Sequence, residues 1–260
     1  VYIVKALYHL ITGRPRIPRR HRHRELIRAI LDRRSVRQFT KDLVPQNDID
    51  IILEAGRVAP SAVNLQTWSF ITFSPQEWRS TIGTDPPFDA PLLILICGDI
   101  HRVEVLLNRE PAPPILAFTT AVINASIAAQ NMHLMAHALG YGSVLLSETG
   151  RSGLLDMQYL VDRLRLPPGV FPLFTLVVGV ARSGPLVMPP KLPVEAVAFR
   201  NGYPSLDTHL VNQWFEEMAQ AYRLTDPRGS IEGRIEHYAQ QFERVENELE
   251  QLIYRRKNDA

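Results

Sequence analysis

Three guanidinium groups and a hydroxyl fall within five residues of this sequence, at Arg33, Arg34, Ser35 and Arg37. Arginine offers paired donors that match phosphate oxygens, and a serine hydroxyl adds a short bond, so the cluster suits a phosphate dianion. A second cluster, Pro60, Ser61, Ala62, Asn64, Gln66 and Thr67, ends at Trp68 and concentrates amide and hydroxyl groups before an apolar run. Such a set can line a planar, polar ligand. Taken alone, either cluster is also the composition of a solvated surface. Competing chemistries have less to stand on. Gly140-Tyr141-Gly142 is half of a dinucleotide fingerprint, with Leu145 where the third glycine belongs. His133 and His137 have the i, i+4 spacing that zinc uses. Leu134 takes the place of the glutamate in H-E-x-x-H, however, and no third ligand is evident, so buried or interface histidines are expected. The sequon Asn124-Ala125-Ser126 falls inside a predicted helix and is discounted. Without a nucleophile elbow, a cysteine with a histidine partner or a P-loop, acyl transfer and nucleotide hydrolysis lose their support.

The chain that must position these groups has 260 residues, 45% apolar and 22% charged, a globular composition in which one domain with appendages is the default. Its longest uninterrupted apolar run, 92–97, is short for a membrane span, and none is expected. The single cysteine, Cys97, lies in that run and reads as a small core residue, so a reducing, cytoplasmic setting is expected. The net charge of +2 hides an asymmetry: residues 1–40 carry eleven Lys or Arg against Glu25 and Asp32. This basic arm lacks interleaved aromatics and fits no nucleic-acid-binding signature, so no nucleic acid partner is expected. Lys5 and His9 interrupt its opening apolar stretch, which argues against a signal peptide, and Val4, Leu7, Tyr8 and Ile11 fit one face of a short helix that docks on protein.

Apolar periodicity predicts helices over 25–33 and from a cap at Asn47 or Asp48 to Pro60, with a loop over 35–46 between them. Strands are expected at 69–73, 92–98, 143–147 and 173–180, and a helix at 154–166. Between the second and third strands, 115–139 reads as a central helix whose alanines (Ala117, Ala121, Ala125, Ala128, Ala129 and Ala136) allow close approach of a neighbour. Twenty prolines fall singly or in pairs at element boundaries and so punctuate a folded domain. Beyond Asn201 the pattern becomes helical. Ile231, Ile235, Tyr238, Phe242, Val245, Leu249 and Leu252 step by 4 and 3 as a heptad seam, which suits a coiled coil or a helix packed along its own domain or a partner subunit.

Four motifs in order decide between these readings. R-R-S-x-R-x-F at 33–39, P-S-A-x-N-x-Q-x-W at 60–68, A-A-Q-N at 128–131 and G-Y-G-S at 140–143 resemble the FMN-dependent nitroreductase family. The resemblance covers about 26–199. It implies an α+β fold, a three-layer sandwich whose mixed, mainly antiparallel sheet is flanked by helices, and a homodimer holding FMN at the subunit interface. It divides the chain into a basic arm (1–24), an FMN-binding domain (25–200) and a helical extension (201–260).

By the same resemblance Arg33 and Ser35, with Arg34 in the same motif, hold the FMN phosphate, joined by Lys191. Arg37 lies by the pyrimidine edge of the flavin, where a cation at ~4 Å and an effective dielectric of ~20 is worth about 4 kcal/mol before desolvation. Pro60, Ser61, Ala62 and Asn64, with Gln66 in their motif, reach FMN from the opposite subunit, and Leu146, Ser147 and Glu148 offer backbone donors to its central ring. Departures are Asn124 where many members carry aspartate, and Ser147 and Glu148 where they carry glycines. The implied activity is hydride transfer from NAD(P)H through FMN to a nitroaromatic, quinone or similar small acceptor. Reductive dehalogenation, flavin breakdown and an interaction role for the heptad tail are the alternatives.

Overall fold

The computed structural model describes residues 3–4, 7–8, 19, 24–107, 113–182, 188–226 and 229–254. They fall into two compact units, one of residues 1–27 with 185–241 and a larger one of residues 28–184 with 242–260. Most of the basic arm, with Ile11, lies outside the described residues.

A four-stranded sheet forms the heart of the larger unit. Strands β1 (Trp68–Phe73), β2 (Leu92–Asp99), β3 (Gly142–Leu146) and β4 (Val170–Gly179) lie in the order β1-β2-β4-β3, each neighbour antiparallel. An isolated parallel bridge between Ser35 and Ser143 lies outside these four antiparallel strands. Successive residues of a strand point to opposite faces. Accordingly Leu92, Ile94 and Ile96 enter one core while Leu93, Leu95 and Cys97 enter another, and every residue of β2 is buried. A strand that is apolar on both sides needs layers on both sides. The helices are α1 (Glu25–Asp32), α2 (Gln46–Arg57), α3 (Pro75–Ile82), α4 (His101–Leu107), α5 (Pro114–Ala138) and α6 (Met157–Leu164). One face is covered by α2 and α5 through Ile52, Ala121, Ala125, Ala128 and Met132, the other by α3 through Trp78 and Ile82. α6 contributes Met157 and Val161 to the first core and Leu160 to the second.

The alanines of α5 are spent inside this unit, buried in the core it shares with α2 and the sheet. A Cβ on Gly56 of α2 would lie 2.7 Å from Met132 Sδ, and one on Gly98 3.0 Å from Ala121 Cβ, which shows how closely α5 is approached. Ile115, Leu116, Ile123 and Ile127 are its exposed large apolar residues. By length and apolarity α5 alone among the described helices could cross a membrane, and nine of its residues are buried in the protein core.

Several local expectations change. α2 starts at Gln46 after Pro45, so neither Asn47 nor Asp48 caps it, and Asp48 instead accepts a hydrogen bond from Tyr141 Oη at 2.5 Å. The region expected as helix over 154–166 begins as a tight turn, Leu154–Asp156, before α6. β4 runs three residues earlier than its apolar run, through Pro172, because a register shift at Ile96/Cys97 lets proline stand opposite Cys97. α3 and α4 were not expected. α3 carries a capping box, with Ser74 Oγ accepting from Glu77 N and Glu77 Oε2 from Ser74 N.

The smaller unit contains α7 (Thr208–Thr225), whose first N–H groups donate to Asp207 Oδ1, and Trp214 of α7 donates from Nε1 to Pro190 O at 3.2 Å. α8 (Ile231–Tyr254) follows. Its last turns belong to the larger unit, where Leu252 and Ile253 enter the core with Leu249 and Tyr254 against it. That part of the heptad seam is therefore a helix packed along its own domain, while Ile235 and Phe242 are half exposed.

Candidate functional site

The arginine cluster leaves the end of α1 and becomes a strap across the start of β3 and the end of β4. Val36 N donates to Ser143 O (3.0 Å), Arg182 N to Gln38 O (3.0 Å) and Thr40 N to Val180 O (2.8 Å), and Arg182 Nε donates to Phe39 O (2.9 Å). Val36 and Phe39 sink into the core, while Ser35 before Val36 and Arg37 after it are exposed. Contact with the sheet is tight: a Cβ on Gly142 would sit 2.8 Å from Val36 Cβ, so only glycine admits the strap at this point.

The adjacent arginines take opposite roles. Arg34 is buried, and its Nη1 donates to Leu31 O (2.9 Å) and Arg33 O (2.8 Å), satisfying carbonyls at the end of α1. Arg33 turns the other way, towards α5, with Nη1 3.3 Å from Nε2 of the buried His133. Among the described residues neither Arg33 nor Arg37 has an ion-pair partner. Burial lowers the Arg33 pKa from its ordinary value, as expected for a half-buried cation without a carboxylate. Burial first, then the Arg33 charge, holds His133 down to about 4, so its imidazole is neutral at pH 7; His137, one turn on, is lowered for the same reasons. Ser143 Oγ is sealed beside the strap with no hydrogen-bond partner. Two cations without carboxylates and an exposed hydroxyl on one strap are a donor set that fits a phosphate dianion.

The second cluster is built differently. Residues 60–67 form a loop, exposed over 62–65, in which Val63, Asn64 and Gln66 have φ of 52°, 56° and 49°, the left-handed region, and Val63 is 90% exposed. A β-branched residue there is strained, and none of its surface is repaid by packing. The loop is tied from within by Gln66 N donating to Ser61 Oγ (2.9 Å) and Asn64 N to Ser61 O (3.1 Å). From outside, Arg102 of α4 donates Nη2 to Gln66 O (3.2 Å) and to Trp68 O, and is itself held by the buried Asp99 (3.2 Å), which also accepts from Ser69 Oγ. Asn124, buried in α5, donates to Thr67 Oγ1 at 2.8 Å, which also removes it as a glycosylation site.

Leu146 closes β3, and Ser147 and Glu148 follow it half-buried; Ser147 O accepts from Leu155 N (3.1 Å). Leu146 stands three residues beyond Ser143 on the same edge strand, roughly 10 Å along it at ~3.3 Å per residue, and Ser147 and Glu148 follow the strand's end. The structure therefore brings together Arg33, Ser35, Arg37 and the end of β3. It does not bring the 60–67 loop to them: that loop leads into β1, the opposite edge, three strand spacings or about 14 Å across the sheet. Lys191 is exposed in the smaller unit.

A nitroreductase family model matches residues 30–84 and 78–180, which takes in both clusters and all four strands. A curated relative, an FMN reductase [NAD(P)H] of Bacillus subtilis, is 31% identical over 211 residues, covering 75% of this chain and 82% of its own length. The chain belongs to the nitroreductase family. Solved nitroreductase-like structures agree with this fold. A hypothetical oxidoreductase from Bacillus subtilis superposes with TM-score 0.74 at 27% identity, covering 88% of this chain and 97% of its own. An NADPH:FMN oxidoreductase from Vibrio harveyi complexed with NAD+ gives TM-score 0.66 at 25% identity over 76% and 86%.

Sequence reasoning expected His133 to be buried, as it is, but not that it stands behind Arg33, and it missed Arg182, which donates to the strap, and the Asp99–Arg102 pair behind the loop. Only His133 carried a signal, through its spacing from His137. Metal binding was the chemistry tested there, and no metal-ligating group of His, Cys, Asp and Glu exists among the described residues.

Proposed function

We propose that this nitroreductase-family chain is an FMN-dependent oxidoreductase that takes hydride from NADH or NADPH and reduces a nitroaromatic, quinone or similar small acceptor, working as a homodimer. The observation that carries the reading is the pair of carboxylate-free guanidinium groups, Arg33 and Arg37, on a strap bound to the sheet by main-chain hydrogen bonds. Arg33 and Ser35 bind the FMN phosphate. Arg34 orients the end of α1 from which Arg33 departs. Arg37 presents a fixed cation to the pyrimidine edge, where negative charge collects on reduction and a preorganised charge lowers its energy. FMN, when bound, supplies the hydride chemistry, so no side chain need serve as nucleophile or general base. Leu146, Ser147 and Glu148 orient the ring system from the end of β3.

A dimer is supported by the position of the second cluster. One chain presents the strap and the 60–67 loop at opposite edges of its sheet, so Pro60, Ser61, Ala62, Asn64 and Gln66 contribute to a shared site only in a partner's pocket. A loop held rigid in a strained shape is suited to that reach.

The test is an absorbance spectrum of the purified protein with added FMN, then anaerobic titration with each nicotinamide and reoxidation by a nitroaromatic or quinone. A flavin spectrum that bleaches and returns is expected. A colourless protein that takes up no FMN overturns the reading, and a flavin-bearing monomer overturns the dimer.

A further inference from the structure

Behind Arg33 stands a buried imidazole that no feature of the proposed chemistry uses. His133 is 5% exposed, on α5, a hundred residues from Arg33 in sequence. Its Nε2 lies 3.3 Å from Arg33 Nη1 and 3.3 Å from Ser143 O. One nitrogen cannot accept from the first and donate to the second in the same tautomer. Arg33 can only donate. Ser143 O already accepts the strap's Val36 N at 3.0 Å, and so does not depend on the histidine.

Resting on the flavin reading above, we infer that His133 is a positioning residue for the phosphate site: with its proton on Nδ1, its Nε2 accepts from Arg33 Nη1 and aims the guanidinium at the phosphate.

The arrangement solves a problem of geometry. A long side chain with an ordinary carboxylate partner would be aimed but neutralised, whereas a neutral acceptor aims it and leaves its full positive charge for the ligand. One donor of five is used, and the others remain for phosphate oxygens. Burial favours this neutral state, and so does Arg33 itself, because a second proton, added at Nε2, would set two cations in contact. His137, one turn along α5, lies in the same field, with Asp32 and Arg34 the other charges near it. Ser143, whose carbonyl accepts from Val36 N and which pairs with Ser35, ties the strap to β3 beside the imidazole.

The experiment compares the affinities of FMN and riboflavin, which lacks the phosphate, by flavin fluorescence quenching in wild type, His133→Leu and His133→Gln. The Leu variant is expected to bind FMN about tenfold more weakly and riboflavin almost unchanged, since a charge-assisted bond that orients a phosphate ligand is lost. The Gln variant, whose amide oxygen can accept from Arg33, is expected to recover most of the loss. A folded Leu variant with unchanged FMN affinity, or an equal loss for both flavins, overturns the inference. Imidazole nitrogen NMR of the wild type needs no variant: a protonated Nδ1 and bare Nε2 support it, and a proton on Nε2 overturns it. Wild-type protein that binds neither flavin instead defeats the flavin reading, independently of the His133 tautomer.

Discussion

The strap over 35–40 and the loop over 60–67 carry similar residue types and are held by opposite means. The strap is bound to β3 and β4 by main-chain hydrogen bonds, with Val36 and Phe39 buried beneath it. The loop has its backbone in left-handed conformations, its apolar Val63 in solvent, and its carbonyls held by the side chain of Arg102. A backbone ladder fixes a segment whatever its outward side chains are, so Ser35 and Arg37 are free to be chosen for a ligand. A side-chain clamp fixes a segment only while the clamp is intact. The strap is therefore the robust half of the candidate site and the loop the half that single substitutions can loosen.

Acid tests the strap's corner most severely. His133 has a folded pKa of about 4 against an ordinary 6.5, so from pH 6.5 down to 4 the unfolded chain binds a proton that the native protein refuses. Stability is fully present above pH 6.5 and falls by on the order of 3 kcal/mol as pH drops to about 4. Urea titrations at both ends of that range should show this loss in wild type and a smaller one in His133→Gln. Next in size, Gly142→Ala puts a methyl 2.8 Å from Val36 Cβ and must lift the strap. The cost is about 2 kcal/mol, or roughly 4–8 °C in Tm, with weakened FMN binding; an unchanged melting point would mean that the strap is not held against β3.

On the loop side, Arg102→Ala removes the clamp and leaves the buried Asp99 with Ser69 Oγ and the main-chain N of residue 102 as its remaining partners. A loss of about 1–2 kcal/mol is expected, with faster proteolysis within 60–67 while the strap keeps its amide protection. Equal loosening of both regions would erase the contrast. The smallest effect has the opposite sign. Val63→Gly relieves a left-handed β-branched residue that packs against nothing, and should raise stability by up to about 1 kcal/mol on thermal melting. A destabilised variant would show that the loop is not strained.

Much of the framework was legible because it obeys local rules. β2 is an unbroken apolar run from Leu92 to Cys97, which is how a strand buried on both faces must read. The central helix announced itself by length and by its terminal prolines and glycines, and its alanines by the close contacts they permit. What escaped lay where local and distant rules compete. Pro172 hid the start of β4, since proline is excluded from a sheet interior unless a register shift opens a place for it. α3 is short and its apolar stripe is two residues, Trp78 and Ile82, so periodicity was too weak a signal, although the capping box at Ser74 and Glu77 could have revealed it. Asn47 and Asp48 looked like caps because their types are right, but Pro45 holds the cap position and the helix begins at Gln46.

The order of the motifs along the chain established the family, and the residue types of the two clusters named the chemistry they could support. Tertiary structure alone assigned the parts. It turned Arg34 back onto its own helix and Arg33 out, gave Arg33 a neutral acceptor from α5, and put the two polar clusters at opposite edges of the sheet. The physical reason is that a side chain's type sets which bonds it can make, whereas its direction and partners depend on where a helix stops and on which distant segments packing brings within about 3 Å.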